Sequence, residues 1–167
     1  MPAVLLSSLS EVRPLKPIRK ILCPVDCSKG SGVALEYALA FAAQCNAEVH
    51  LLHVWQVHYQ VRQDLSVWME AHGQQPIAKV VEDEAREETD RFLMSLPADT
   101  RSKLKIHIVE GEPWRAVVDM ATREGFDMIA MGTHGRTGVA HLYLGSVAEK
   151  VVRHAACPVL TVRMPEA

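Results

Sequence analysis

The stretch Asp127-Met-Ile-Ala-Met131-Gly132-Thr-His-Gly135-Arg136-Thr-Gly138, completed by Gly145-Ser146, sets the reading of this chain. A short apolar run reads as a strand, a loop follows with the spacing Gly-x2-Gly-x9-Gly-Ser, and a helix is expected from Ser146 to about His154. Amides at a helix N-terminus lack intrahelical acceptors and carry the positive end of the helix dipole. An anion can therefore sit there. Glycines in the preceding loop let the backbone approach a ligand without Cβ contacts. The combination predicts a phosphate site, and a nucleotide is the natural phosphate carrier.

The rest of the chain alternates in the same way. Strands are expected over Ile18–Asp26, Glu48–Trp55, Leu104–Glu110, Met128–Met131 and Pro158–Arg163. Helices are expected from about Ser31 to Gln44, from Gln75 to Leu96, from Pro113 to the C′ glycine Gly125, and from Ser146. The core of the second strand, Val49-His-Leu-Leu-His-Val54, is apolar on both faces, as a strand covered on two sides should be. Pro113 suits a first helical position, where a missing N–H costs little. Pro97 ends the long helix before it. Strict βα alternation predicts an α/β fold: a five-stranded, mainly parallel, Rossmann-like sheet with helices on both faces. Ligands of such sheets bind beyond the C-terminal strand ends, where the strand order reverses. Pro24-Val25-Asp26 and the glycine loop both stand at such ends.

Bulk properties narrow the function. With 167 residues the chain suits one domain, and 49% hydrophobic with 23% charged residues is ordinary for a globular protein. Residues 1–17 hold three prolines and little periodicity and read as a flexible arm, leaving 18–167 as the single domain. A net charge of −2 without a long basic run does not favour a nucleic-acid partner. No apolar run approaches the roughly 20 residues of a membrane span, and the first residues lack the pattern of a secretory signal. Four scattered cysteines, Cys23, Cys27, Cys45 and Cys157, read as reduced thiols. A cytoplasmic protein is expected.

No other motif competes with this site. A Walker loop is absent, and Gly30-x-Gly32-x-x-Leu35 fails the dinucleotide fingerprint at its last place. Glu82, Asp83, Glu84, Glu87 and Glu88 read as a solvated helix face rather than a metal site. His50 and His53 are odd-spaced and point to opposite faces of their strand. His58, His72, His107 and His154 show no ligand spacing, so no protein-only metal site is expected. His141 falls within the glycine loop. Residues 56–75, with Tyr59, Trp68 and Met69, read as a long connection suited to partner specificity.

The pattern resembles the universal stress proteins, and specifically their ATP-binding branch. The resemblance runs from about Ile18 to Arg163. It rests on Ile21-Leu-Cys-Pro24-Val-Asp26-Cys-Ser28, Val49-His-Leu-Leu-His-Val54, Gly111-Glu-Pro, Asp127 through Gly145-Ser146, and Cys157-Pro-Val-Leu-Thr-Val162. It implies the strand order 3-2-1-4-5 and an ATP site, with magnesium arriving beside the phosphates. Gly132, Thr133, His134, Gly135, Gly145, Ser146 and Val147 would hold the phosphates, and Arg136 would brace the terminal one. Pro24 and Val25 would form apolar wall, Val54 would offer backbone bonds to the adenine edge, and Met131 would pack on the sugar or base. Asp26 is the carboxylate expected near ribose or a magnesium ion, unless it only caps its own turn. The resemblance also implies a homodimer through the strand at 158–163. Three functions stay open: a nucleotide-dependent switch with an unknown protein partner, a slow magnesium-dependent ATPase or phosphotransferase, and an interaction module with a structural nucleotide.

Overall fold

The computed structural model describes residues 16–57, 76–133 and 144–164. Five parallel strands, β1 (Lys20–Val25), β2 (Glu48–Trp55), β3 (Leu104–Glu110), β4 (Met128–Gly132) and β5 (Val159–Val162), form one sheet in the order β3-β2-β1-β4-β5. The expected strand order is the observed one. Between the strands run α1 (Lys29–Cys45), α2 (Ile77–Met94), the one-turn α3 (Ala98–Arg101), α4 (Pro113–Arg123) and α5 (Ser146–His154). The single turn α3 was not expected. Pro97, read as the stop of α2, is also the N-cap of α3.

Each face of the sheet buries its own cluster. Leu35, Ala38 and Ala42 of α1 and Leu93 of α2 pack on Ile21, Cys23, Val49, Leu51 and Ala130. On the other face Val117, Met120 and Ala121 of α4, with Ala148 and Val151 of α5, pack on Leu22, Leu52, Ile129 and Met131. β1 lies at the centre and is covered on both sides, so Ile21, Leu22 and Cys23 are fully buried. Ile21 and Leu22 each contribute about 1.5–3 kcal/mol of transfer free energy.

Local chemistry sets the helix ends. Ser28 caps α1 by accepting from the Ser31 amide at 3.3 Å. Asn46 ends that helix in the left-handed region at φ 53°, and the next amide, Ala47, closes on the Ala42 carbonyl at 3.0 Å. α4 starts on Pro113 and ends at Gly125, whose φ of +65° lets the Phe126 amide reach the Ala121 carbonyl at 2.9 Å. Both are αL C-caps, built on residues that tolerate that conformation. On α2 the acidic run faces solvent and pairs with its own helix, through Lys79–Asp83 at 2.7 Å and Arg86–Glu82 at 2.6 Å. Such i,i+4 pairs support the helix. The arm up to residue 15, the 58–75 connection with Tyr59, Trp68 and Met69, and the loop residues His134, Gly135, Arg136 and His141 lie outside the described residues.

Candidate functional site

The site forms where β1 and β4 run side by side and end. Their register pairs Ile21 with Met128 and Leu22 with Ile129. Continued along the strands, it sets Val25 beside Gly132. On the other side of β1, Val25 pairs with His53, which brings Asp26 level with Val54. The helices after these two strands lie on opposite faces, α1 on one and α5 on the other. The crevice between strand ends therefore opens at this point, as doubly wound sheets require. Pro24, Val25, Asp26, Val54, Met131, Gly132 and Thr133 all reach this one end of the sheet.

The glycine loop is pinned at its base. Thr133, 8% exposed, donates its amide to the Val162 carbonyl at 2.9 Å, and its carbonyl accepts from the Gly145 amide at 2.7 Å. The two ends of the loop are thereby held at the head of β4. Gly145 then serves as the N-cap of α5 with φ −58° and ψ 152°, and no side chain caps the helix. The first α-helical bond is Glu149 N–H to the Gly145 carbonyl at 2.9 Å. The amides of Ser146, Val147 and Ala148 consequently have no intrahelical acceptor. Ser146 is exposed, so its hydroxyl stands beside these donors. Three amides and a hydroxyl at the positive end of a helix suit phosphate oxygens. Glu149, the acidic residue of the first turn, is paired with Arg153 at 2.7 Å.

On the β1 side the turn is built by side chains. Asp26 Oδ1 accepts from the Ser28 hydroxyl at 2.6 Å and from the Ser28 amide at 3.2 Å. Asp26 therefore does organise its own turn. Cys27 between them takes φ 61°, a conformation rare for a residue with a side chain. Its Sγ lies 3.7 Å from Nδ1 of His53, which also lies 3.1 Å from the Val25 carbonyl oxygen. The sequence assigns Ser28, Cys27 and His53 no part in the site. The signal available was the Asp26-Cys-Ser28 run itself, since Asp-x-Ser favours side-chain turns.

Among the wall residues, Pro24 is half-buried, while Val25 packs into the α1 cluster. Val25 therefore meets the crevice through its backbone. Met131 is buried in the cluster against which Val54, Leu144 and Val147 pack, so it ties the loop base to the core.

A second polar group lies at the far end of β2. His50 Nδ1 stands 3.0 Å from His107 Nε2, and His50 Nε2 faces Glu48 Oε2 at 3.4 Å. Burial lowers the His50 pKa below the ordinary histidine value, against the raising effect of Glu48. His50 and His53 do diverge, as their odd spacing requires, but His50 finds its partner on β3. The Leu52–His107 register of the two strands puts His107 within reach of His50.

Known proteins share this fold. The sequence profile described as the universal stress protein family matches residues 17–163. A universal stress protein of Methanocaldococcus jannaschii, MJ0531, is 32% identical over 148 residues, which are 89% of this chain and 84% of that one. MJ0577 of the same organism is 32% identical over 154 residues. Its solved structure superimposes with a TM-score of 0.70 at 30% identity, covering 91% of this chain and all of the other. A universal stress protein solved in complex with cAMP has the same fold, with a TM-score of 0.57 at 20% identity over 90% of this chain. This chain belongs to the universal stress protein family.

Proposed function

We propose that the chain is an ATP-binding cytoplasmic regulatory protein, in which nucleotide biases the choice of a protein partner. One observation carries the reading: the three amides opening α5, with the Ser146 hydroxyl, stand at the β1–β4 strand ends with the Thr133–Gly145 bond closing the loop base. The donor set fits an anion. Pro24, Val54 and Met131 supply the apolar side that an adenosine needs. That the same fold carries cAMP in a relative supports an adenine nucleotide here. In this reading His134, Gly135 and Arg136 complete the phosphate contacts.

Magnesium arrives with the triphosphate, because the three-donor group found among the described residues lies elsewhere, at His50, His107 and Glu124. Asp26, with one oxygen engaged by Ser28, positions the turn and offers its charge to the ribose or the ion. A carboxylate so engaged is poorly set to act as a general base, which favours a switch over an ATPase. The four described cysteines form no disulfide with one another, in keeping with a reducing compartment. Among the described residues no helix is long and apolar enough to cross a membrane. The half-exposed edge strand β5 is the proposed contact between two copies of the chain.

Equilibrium dialysis with labelled ATP and magnesium tests the reading. Binding is expected at physiological, millimolar nucleotide, and its absence there rejects the nucleotide role. Ser146→Ala should weaken ATP roughly tenfold, the worth of one hydrogen bond to a charged group, while leaving the thermal midpoint of the free protein in place. A steady-state turnover above about 1 s⁻¹ would replace the switch with an enzyme.

A further inference from the structure

We propose that His50, His107 and Glu124 form a binding site for a zinc-class divalent ion at the end of the sheet remote from the nucleotide crevice. One ligand atom from each of the three lies within 4.8 Å of the others. They come from β2, β3 and the C-cap of α4, so the site is assembled by the tertiary fold. Two imidazoles and a carboxylate with a fourth position for water match the usual ligand types and number for zinc.

The histidines are prepared for this. The rings of His50 and His107 lie in nearly parallel planes, 9° apart, with the facing nitrogens at 3.0 Å. His50 is held by the edge of Phe126, centroid to centroid 4.8 Å. Its Nε2 faces Glu48 Oε2 at 3.4 Å, and Glu48 is itself held by Lys105 Nζ at 2.7 Å. With the Nε2 proton directed to Glu48, Nδ1 of His50 presents its lone pair toward His107. This is the outer-shell carboxylate that orients metal-binding histidines in general. Without metal, His107 Nε2–H donates to that lone pair. With metal, His107 carries its proton on Nδ1 and Nε2 binds the ion, so no net proton is released from a neutral pair.

Tetrahedral zinc, with Zn–N near 2.0–2.1 Å, spaces its donors about 3.3 Å apart. Closing on the ion thus needs a small outward swing of His107 and an inward swing of Glu124. Both are only partly buried, whereas His50 is fixed. The opposing charges are Lys20, Lys105, and Arg123, whose Nη2 lies 3.9 Å from Glu124 Oε1. The Lys20 Nζ is bound to the Glu124 carbonyl at 2.9 Å and lies 4.6 Å from the Phe126 ring centre, which moderates the affinity without blocking the three donors.

The test uses the full chain, freed of metal by chelator and of nucleotide, titrated with zinc near neutral pH by calorimetry and counted by elemental analysis. One equivalent per chain is expected, with the visible absorption of a four-coordinate ion when cobalt replaces zinc. His107→Ala should weaken zinc more than about 100-fold, and Glu48→Gln by roughly 10- to 100-fold, as loss of an outer-shell partner does. Glu124→Gln, a change at a helix end that leaves the fold intact, should also weaken zinc and alter the cobalt spectrum. His154→Ala should change nothing. Failure of the wild-type chain to bind zinc overturns the proposal, as does unchanged zinc binding in both His107→Ala and Glu124→Gln. Either result would leave His50 and His107 as a hydrogen-bonded pair.

Discussion

Asp127 joins segments more than a hundred positions apart. Its Oδ2 accepts the amides of Arg19 and Lys20 at 2.9 and 3.0 Å, and its own amide donates to the Lys20 carbonyl. Oδ1 receives no directed hydrogen bond and is compensated by the Lys16 ammonium at 2.5 Å. The Lys16 ammonium first, and then the two amides, hold this carboxyl below its ordinary 3.8 in spite of burial. Asp127→Ala leaves the two amides without this acceptor and should cost about 1–3 kcal/mol in denaturant melts. The folded value lies below the unfolded one, so this stability is present above about pH 4 and is lost as pH falls through the folded value. The gap between wild type and variant should therefore close in acid; a gap that widened there would reject the assignment. Gly125 supports a cleaner backbone test. Its φ is +65°, and a Cβ there would meet nothing within 4 Å. Gly125→Ala should thus cost only the left-handed conformational penalty, about 1–2 kcal/mol, with Gly125→Asn costing less.

At the scale of elements, burial separates the thiols. Burial in β1 pushes the Cys23 thiol up to about 12, while Cys45 at the end of α1 is exposed. The thiolate is the reactive form. Alkylation near neutral pH should label the exposed Cys45 in the native state and Cys23 only on global unfolding, as peptide mapping can follow. Rapid labelling of Cys23 in the native state would show that β1 opens locally. The same contrast in patterning explains which elements were legible. β2, β3 and α5 begin and end where their residues predict, because apolar runs and terminal Gly or Pro signals coincide there. Ile18–Asp26 shortens to Lys20–Val25, and the helix expected to reach Leu96 stops at Met94, because Ile18 and Leu96 pack on the core without joining the ladder or the helix. α3 escaped notice because four residues after a proline carry no period to read.

For the whole molecule, the open edges matter most. Pro158 and Val162 accept from β4 through their carbonyls, so the alternate residues Val159 and Thr161 turn their backbone groups to the free side of β5. Thr161→Pro removes an outward donor while sparing the bonds to β4, a change an edge strand tolerates. If β5 pairs two copies, light scattering at micromolar concentration should find a wild-type dimer and a monomeric Thr161→Pro variant with its melting point nearly kept. A monomeric wild type would reject the dimer. The sequence by itself determined the alternation of strands and helices, the anion-ready start of α5 and the family, because periodicity, caps and glycine spacing act over a few neighbouring residues. Only the tertiary structure decided that Asp26 spends an oxygen on Ser28, that Thr133 and Gly145 close the loop base, and that His50 meets His107 and Glu124. Those meetings depend on strand register and on helix ends packed across the sheet. A shift of one residue in β2 or β3 would send His50 and His107 to opposite faces, and no local pattern records that choice.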